Sequence, residues 1–476
     1  MREAATEPLE YLREPAPMAA HRDLALDPAV RRLRAIVVAS LLALLFVVVP
    51  ALSLAGVVDN HILNRFGRYV ALALIALGID LIWGYTGVLS LCQALFFCIG
   101  GYAMAMFLAL PAGHGDVRPE YNNIPQFLFF NNWNVLPHFW RPFNLPAPFG
   151  ALLTLAAIFL LPAVVAGVIG FFVFRSRVRG VYFSIVTQAI AWGAWLAFSR
   201  NEMLLGGTNG LTNFYKPLNQ AKGWILGLYL ASLVALLLAY LLCRAIVRSR
   251  LGRILVAVRD KETRLYFAGY RPYAFKLFAF VVAAVLAAVG GALYVPQTGI
   301  ITPNNMTVAE SIVMVIWVAV GGRGRLWGAI FGAMVVNFTY SAMTSDLPST
   351  WPFVQGAMFL AVVLYFPDGF VGVWDKLEAL VARRAGFAPI ALTAAPLAAV
   401  VLFVLLEALG LVPRFLRTVA FDAGAAGRIQ WKYVLLVAVL AVAAAGHRVL
   451  AVTSRPRRSL RDNTIPASAS TAGEQV

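Results

Sequence analysis

Few side chains in this sequence can do chemistry, and their arrangement excludes most kinds of it. The ionisable residues within apolar runs are Asp80, Glu310 and Glu407. Carboxylates placed there are functional candidates by default, because a charge at membrane depth is costly to keep. For Asp80 the plain alternative is a helix-end residue bonded to Thr86 or to the Gly84 backbone; for Glu310 it is an N-cap or outer-vestibule group. Neutral polar residues are more plentiful: Ser90, Gln93, Thr187, Gln188, Asn337 and Thr339. Such groups suit a small uncharged solute or a zwitterion, and they equally suit hydrogen bonds between helices. Ser90, Gln93, Gln188, Glu310 and Asn337 are the candidate lining of a translocation path.

Covalent and metal chemistry find no support. The five histidines, His21, His61, His114, His138 and His447, never pair at metal-ligand spacing. Cys92, Cys98 and Cys243 sit in apolar runs without a Cys-x-x-Cys pair and read as small core residues. There is no Gly-x-Ser-x-Gly elbow. No Gly-x-x-x-x-Gly-Lys-Ser/Thr loop occurs either, so the chain has no Walker-type ATP site of its own. The run Gly206-Gly207-Thr208-Asn209-Gly210 lacks the following lysine and reads as a turn. No catalytic residue, metal site or cofactor is expected.

The elements that must position these residues are apolar helices. Of 476 residues, 61% are hydrophobic and 13% charged, where a soluble domain carries about 25% charge. This is an all-α, polytopic membrane protein. Its net charge of +17 gathers at the ends of apolar runs, as the positive-inside rule requires, and forms no nucleic-acid face. Ten core spans are expected, at residues 35–54, 69–83, 88–110, 149–174, 181–198, 224–242, 275–295, 307–320, 327–343 and 353–366. Residues 1–34 read as a cytoplasmic tail, residues 35–377 as the transmembrane domain, residues 378–454 as an added hydrophobic hairpin and residues 455–476 as a disordered cytoplasmic tail. Loops 111–148, 200–222 and 296–306 fall outside; the basic turns at 175–179 and 321–325 fall inside. Glycines at membrane depth read as points of close helix packing.

One charged interruption stands out, from Arg244 to Lys276. It lies on the cytoplasmic side between the sixth and seventh spans. Leu251, Ile254, Leu255, Val258 and Leu265 recur in it at helical spacing, and Gly269 and Pro272 supply a stop. That is an amphipathic helix. It either lies on headgroups, packs on its own protein, or docks a cytoplasmic partner.

The segment Ile82-Trp83-Gly84-Tyr85-Thr86-Gly87-Val88-Leu89-Ser90-Leu91, with Gly100-Gly101-Tyr102-Ala103 after it, resembles the early motif of the branched-chain amino acid permeases of ABC importers. Gly180-Val181-Tyr182-Phe183-Ser184-Ile185 and Gly206-Gly207-Thr208-Asn209-Gly210-Leu211-Thr212 look most like the urea-type permease subunit of that group. Gly290-Gly291-Ala292-Leu293-Tyr294 and Gly321-Gly322-Arg323-Gly324-Arg325 also fit. Arg31, Arg32 and Arg34 before the first span place the N-terminus in the cytoplasm. The resemblance implies a type II ABC importer fold in a bacterial inner membrane. It implies a second permease subunit in a heterodimer, two cytoplasmic ATP-binding subunits, a periplasmic solute-binding protein and contact with membrane lipid. In that frame Leu251, Ile254, Leu255, Val258, Glu262, Leu265 and Gly269 form the coupling helix to the ATPase. Urea is the expected substrate, with branched-chain amino acids as the close alternative and a stand-alone carrier or channel as the alternative of another class.

Overall fold

A computed structural model of the chain describes residues 49–54, 60–112, 147–176, 180–200, 207–212 and 222–344, with isolated positions at 205, 353, 355, 356, 360 and 369. All belong to the first of the chain's two units, Met1–Phe415. Of the expected first span only its end is among them. The tenth span is represented by isolated positions. The C-terminal hairpin, both tails and residues 113–146 lie outside the described residues.

The order of elements is α1 (Val49–Leu54), α2 (Asn60–Ile79) closing in a π turn (Asp80–Gly84), α3 (Gln93–Ala112), α4 (Ala147–Arg175), α5 (Val181–Phe198), β1 (Leu211–Thr212), α6 (Lys222–Arg248), α7 (Arg250–Phe267), α8 (Pro272–Thr298), β2 (Ile300–Ile301), α9 (Val308–Gly321) and α10 (Leu326–Thr344). Helices dominate because hydrocarbon offers no partner to a backbone N–H or C=O, so each segment must bond to itself. Five stretches are long and apolar enough to cross a bilayer: Asn60–Gly84, Leu152–Arg175, Val181–Phe198, Gly223–Arg248 and Pro272–Thr298. The chain is therefore a multi-pass membrane protein.

These helices form two layers. The most apolar windows of α2 and α8 are 78% and 61% buried within the chain, against 17%, 17% and 22% for α4, α5 and α6. Helices α2, α3 and α8 are thus the core, and α4, α5 and α6 turn Leu160, Phe172, Val181, Trp192 and Leu238 outward. Small residues make the core possible. A methyl on Gly100 would collide with the Ala288 carbonyl oxygen, and one on Gly291 with that of Phe97. So α3 and α8 touch backbone to backbone, as the glycines at depth suggested. Four rings lock the next shell: Phe174 stacks on Phe183 at 4.9 Å between centroids, and Phe96 meets Phe280 edge-on at 5.5 Å. Those four side chains join α3, α4, α5 and α8.

Between helices, β1 pairs antiparallel with β2, Leu211 opposite Ile301. Gly210 (φ +67°) precedes β1 and lies too close to the Ile301 carbonyl for any side chain. The residues Gly207–Asn209 form a 3-10 turn, in line with the turn expected there.

Four expected spans differ from the structure. The third helix begins at Gln93, because residues 87–92 are not helical. The second begins at Asn60, nine residues before Tyr69, so the expected link 55–68 is in part helix. The eighth and ninth were expected to cross separately. Helix α9 has 14 residues, about 21 Å, too short for a core of about 30 Å. It meets Leu326–Ser341 at 118° as a bent pair.

Candidate functional site

The interruption between α2 and α3 is the first part of the site. The backbone bends at Gly87 (φ +74°) and runs unwound to Cys92. Freed backbone groups at membrane depth must find partners within the protein. Side chains of α5 and α9 supply them. Ser184 donates its hydroxyl to the Leu89 carbonyl at 2.8 Å. The Leu91 N–H donates to Thr187 Oγ1 at 3.1 Å, and that hydroxyl donates onward to the Ser184 carbonyl at 2.9 Å. The Ala94 N–H donates to Ser311 Oγ at 3.2 Å. Thr187 and Ser311 are fully buried.

Of the expected path residues, Ser90 and Gln93 belong to this break. Ser90 is buried with its hydroxyl 3.3 Å from Cys92 Sγ. Gln93 opens α3 and is 1% exposed, and neither end of its amide has a hydrogen-bond partner among the described residues. Gln188 is half-buried beside Thr187, and Glu310 is exposed beside Ser311. Asn337 is buried but donates to Ala333 O of its own helix, as Thr339 does to Val335 O. Ser184 and Ser311 escaped sequence reading. Their only signal is a lone serine within an apolar run.

The second part is a clamp at the C-terminal end of α2. Asp80 is fully buried, and its Oδ1 accepts the Gly324 N–H at 2.6 Å. Thr86 donates instead to Ile82 O, so the local partners expected for Asp80 are not the ones used. Arg259, from α7, donates through Nη1 to the Gly84 carbonyl at 2.8 Å. The Arg323 guanidinium lies 5.2 Å from the centroid of the Trp83 ring, a cation–π distance. A Cβ on Gly84 would strike Asp80 Oδ1 and the Gly324 backbone. Three segments far apart in sequence (80–84, 259 and 323–324) therefore meet at contact distance, with positive charge from Arg323 and Arg259 around one carboxylate.

The third part is α7 itself. Ser249 caps it by accepting the Leu251 N–H at 3.1 Å, and Gly269 (φ +80°) ends it. The helix kinks at Lys261. Past the kink, Glu262 pairs with Lys276 of α8 at 2.8 Å, both side chains being less than one-fifth exposed. The apolar stripe faces inward. Leu255, Val258 and Leu265 are buried and Ile254 half-buried. Leu255, Val258 and Leu265 thereby fix α7 to its own chain. The outward apolar groups are Leu251 (36% exposed) and, past the kink, Tyr266 (36%) and Phe267 (93%).

Among the described residues no His, Cys, Asp and Glu cluster could hold a metal ion, and the three cysteines are free and buried. Residues 61–363, which include every part of this site, match the family model described as branched-chain amino acid transport system / permease component. The chain belongs to that family. Among this permease's relatives is the high-affinity branched-chain amino acid transport system permease protein LivM of Escherichia coli, 25% identical over 358 residues, 70% of this chain and 74% of the relative. The LivM of Salmonella typhimurium is 25% identical over 323 residues, 63% of this chain and 67% of the relative. The ribose import permease protein RbsC of Haemophilus influenzae is 20% identical over 230 residues, 46% of this chain and 69% of the relative. No solved structure matches the permease. These names speak for the permease family and not for its urea branch.

Proposed function

We propose that this chain is the membrane-spanning subunit of an ATP-driven importer, in a bacterial inner membrane, for a branched-chain amino acid. The observation that carries the reading is the family match over residues 61–363, with two relatives named for that substrate class. It replaces urea, which rested on the motifs around Gly180 and Gly206. The neutral polar break at Ser90 and Gln93 supports it, since a zwitterion needs hydrogen-bonding groups and no net countercharge.

The partners follow from the family: a second permease subunit, two cytoplasmic ATP-binding subunits and an extracytoplasmic solute-binding protein. In this reading α7 receives the stroke of the ATPase on its outward face, at Leu251, Arg253, Arg264 and Phe267. The clamp of Arg259 on Gly84 and of Asp80 on Gly324 passes it to the break between α2 and α3. In this reading the chain itself carries out no covalent step.

The test is uptake of labelled leucine and labelled urea by cells with and without the gene. Loss of leucine uptake, restored by the gene in trans, with urea uptake unchanged, is the expected result. The opposite pattern returns the substrate to urea.

A further inference from the structure

We propose that the cytoplasmic rim between α4 and the end of α7 is a binding site for the phosphate headgroup of an anionic phospholipid, such as phosphatidylglycerol. A cavity of about 380 Å³ lies there, lined by Phe174, Arg175, Tyr266, Tyr270, Arg271 and Tyr273. Its volume falls within the roughly 300–1,000 Å³ of small-molecule sites. Among the described residues, two guanidiniums and three phenols line it, and no carboxylate does. The acidic side chain nearest in sequence, Glu262, is engaged by Lys276. Guanidinium forks match phosphate oxygens, and phenols donate to them.

Position selects a lipid over other anions. Arg175 is the last residue of α4, whose apolar window is only 17% buried, and Phe172 just before it is 66% exposed. The cavity thus opens where an outward-facing apolar helix ends, at headgroup level. Tyrosines favour that level, and basic pockets on the cytoplasmic side hold anionic headgroups. The other wall is the 266–273 stretch that ends α7 and starts α8, so an occupying headgroup braces the end of α7 against α4. The site does not depend on which solute the permease carries.

The test uses the full-length chain, purified in detergent with the subunits that accompany it, delipidated, and titrated with dioleoylphosphatidylglycerol, dioleoylphosphatidylcholine or soluble glycerol 3-phosphate. Native mass spectrometry counts bound lipid. The expected result is selective retention of the glycerol lipid over the choline lipid, with no displacement by glycerol 3-phosphate. The Arg175→Gln/Arg271→Gln double variant should lower that retention about tenfold, and the Lys/Lys variant should fall between, because a point charge attracts phosphate without the fork. Should the Gln variant fail to fold, the wild-type selectivity and the Lys variant still decide. Equal binding of both lipids by the wild type overturns the proposal. So does displacement by glycerol 3-phosphate, which would indicate a soluble-anion site. So does unchanged lipid retention in the Gln variant with loss of an accompanying subunit, which would make the cavity a protein interface.

Discussion

Asp80 and Gln93 are buried polar residues in opposite situations, and they predict opposite outcomes. Asp80 accepts a backbone N–H from Gly324 at 2.6 Å and faces Arg259 and Arg323. Asp80→Ala removes the acceptor and strands the Gly324 N–H, an unmade bond that costs about 1–3 kcal/mol. Asp80→Asn keeps an acceptor but loses the charge, so it should fall between. A lowered thermal unfolding midpoint and lower membrane abundance, in the order wild type, Asn, Ala, are the expected readings. Gln93 holds an amide with no partner among the described residues. Gln93→Leu removes that unmade pairing, so stability should hold or rise by about 1–3 kcal/mol. Leucine uptake should nevertheless fall if Gln93 meets the solute. Unchanged uptake in a folded Gln93→Leu protein would take this residue out of the path.

At the scale of the element, α7 separates two tasks that one amphipathic pattern had merged. Its inward stripe, Leu255, Val258 and Leu265, glues it to the bundle, while Leu251 and Phe267 remain outside. A charge placed at Val258 must be desolvated. Val258→Asp should therefore lower the amount of folded protein recovered from membranes. Phe267→Asp meets water at 93% exposure. It should leave abundance and unfolding temperature unchanged while reducing coupled transport, read as ATP hydrolysed per leucine taken up. Normal coupling in Phe267→Asp would move the docking surface elsewhere on α7. The Glu262–Lys276 pair beyond the kink ties the same element to α8, and Arg259 ties it to the end of α2 at Gly84.

For the whole molecule, a core of α2, α3 and α8 is ringed by α4, α5 and α6, whose exposed faces suit lipid or another subunit. Uptake should collapse when the gene for the ATP-binding partner is deleted, and survive an uncoupler while ATP is maintained. Proteoliposomes of this chain alone that concentrate leucine against a gradient would sink the importer reading. Much of this was legible in the residues. The fifth helix, Val181–Phe198, and the amphipathic helix between Leu251 and Gly269 follow from hydropathy, charge and the stop at Gly269, because these are properties of near neighbours in the chain. The turn at Gly207–Asn209 was legible for the same reason. Hydropathy could not see that residues 87–92 unwind, since their partners Ser184, Thr187 and Ser311 come from two other helices. Nor could it give the partner of Asp80, which lies 244 residues away. Which face of α7 turns inward was equally hidden, for an apolar stripe looks the same whether its own bundle or another protein covers it. Composition and periodicity determined that the chain crosses a membrane. Only the folded arrangement decided which polar groups meet, because such pairs depend on distance in space, and a sequence pattern records distance along the chain.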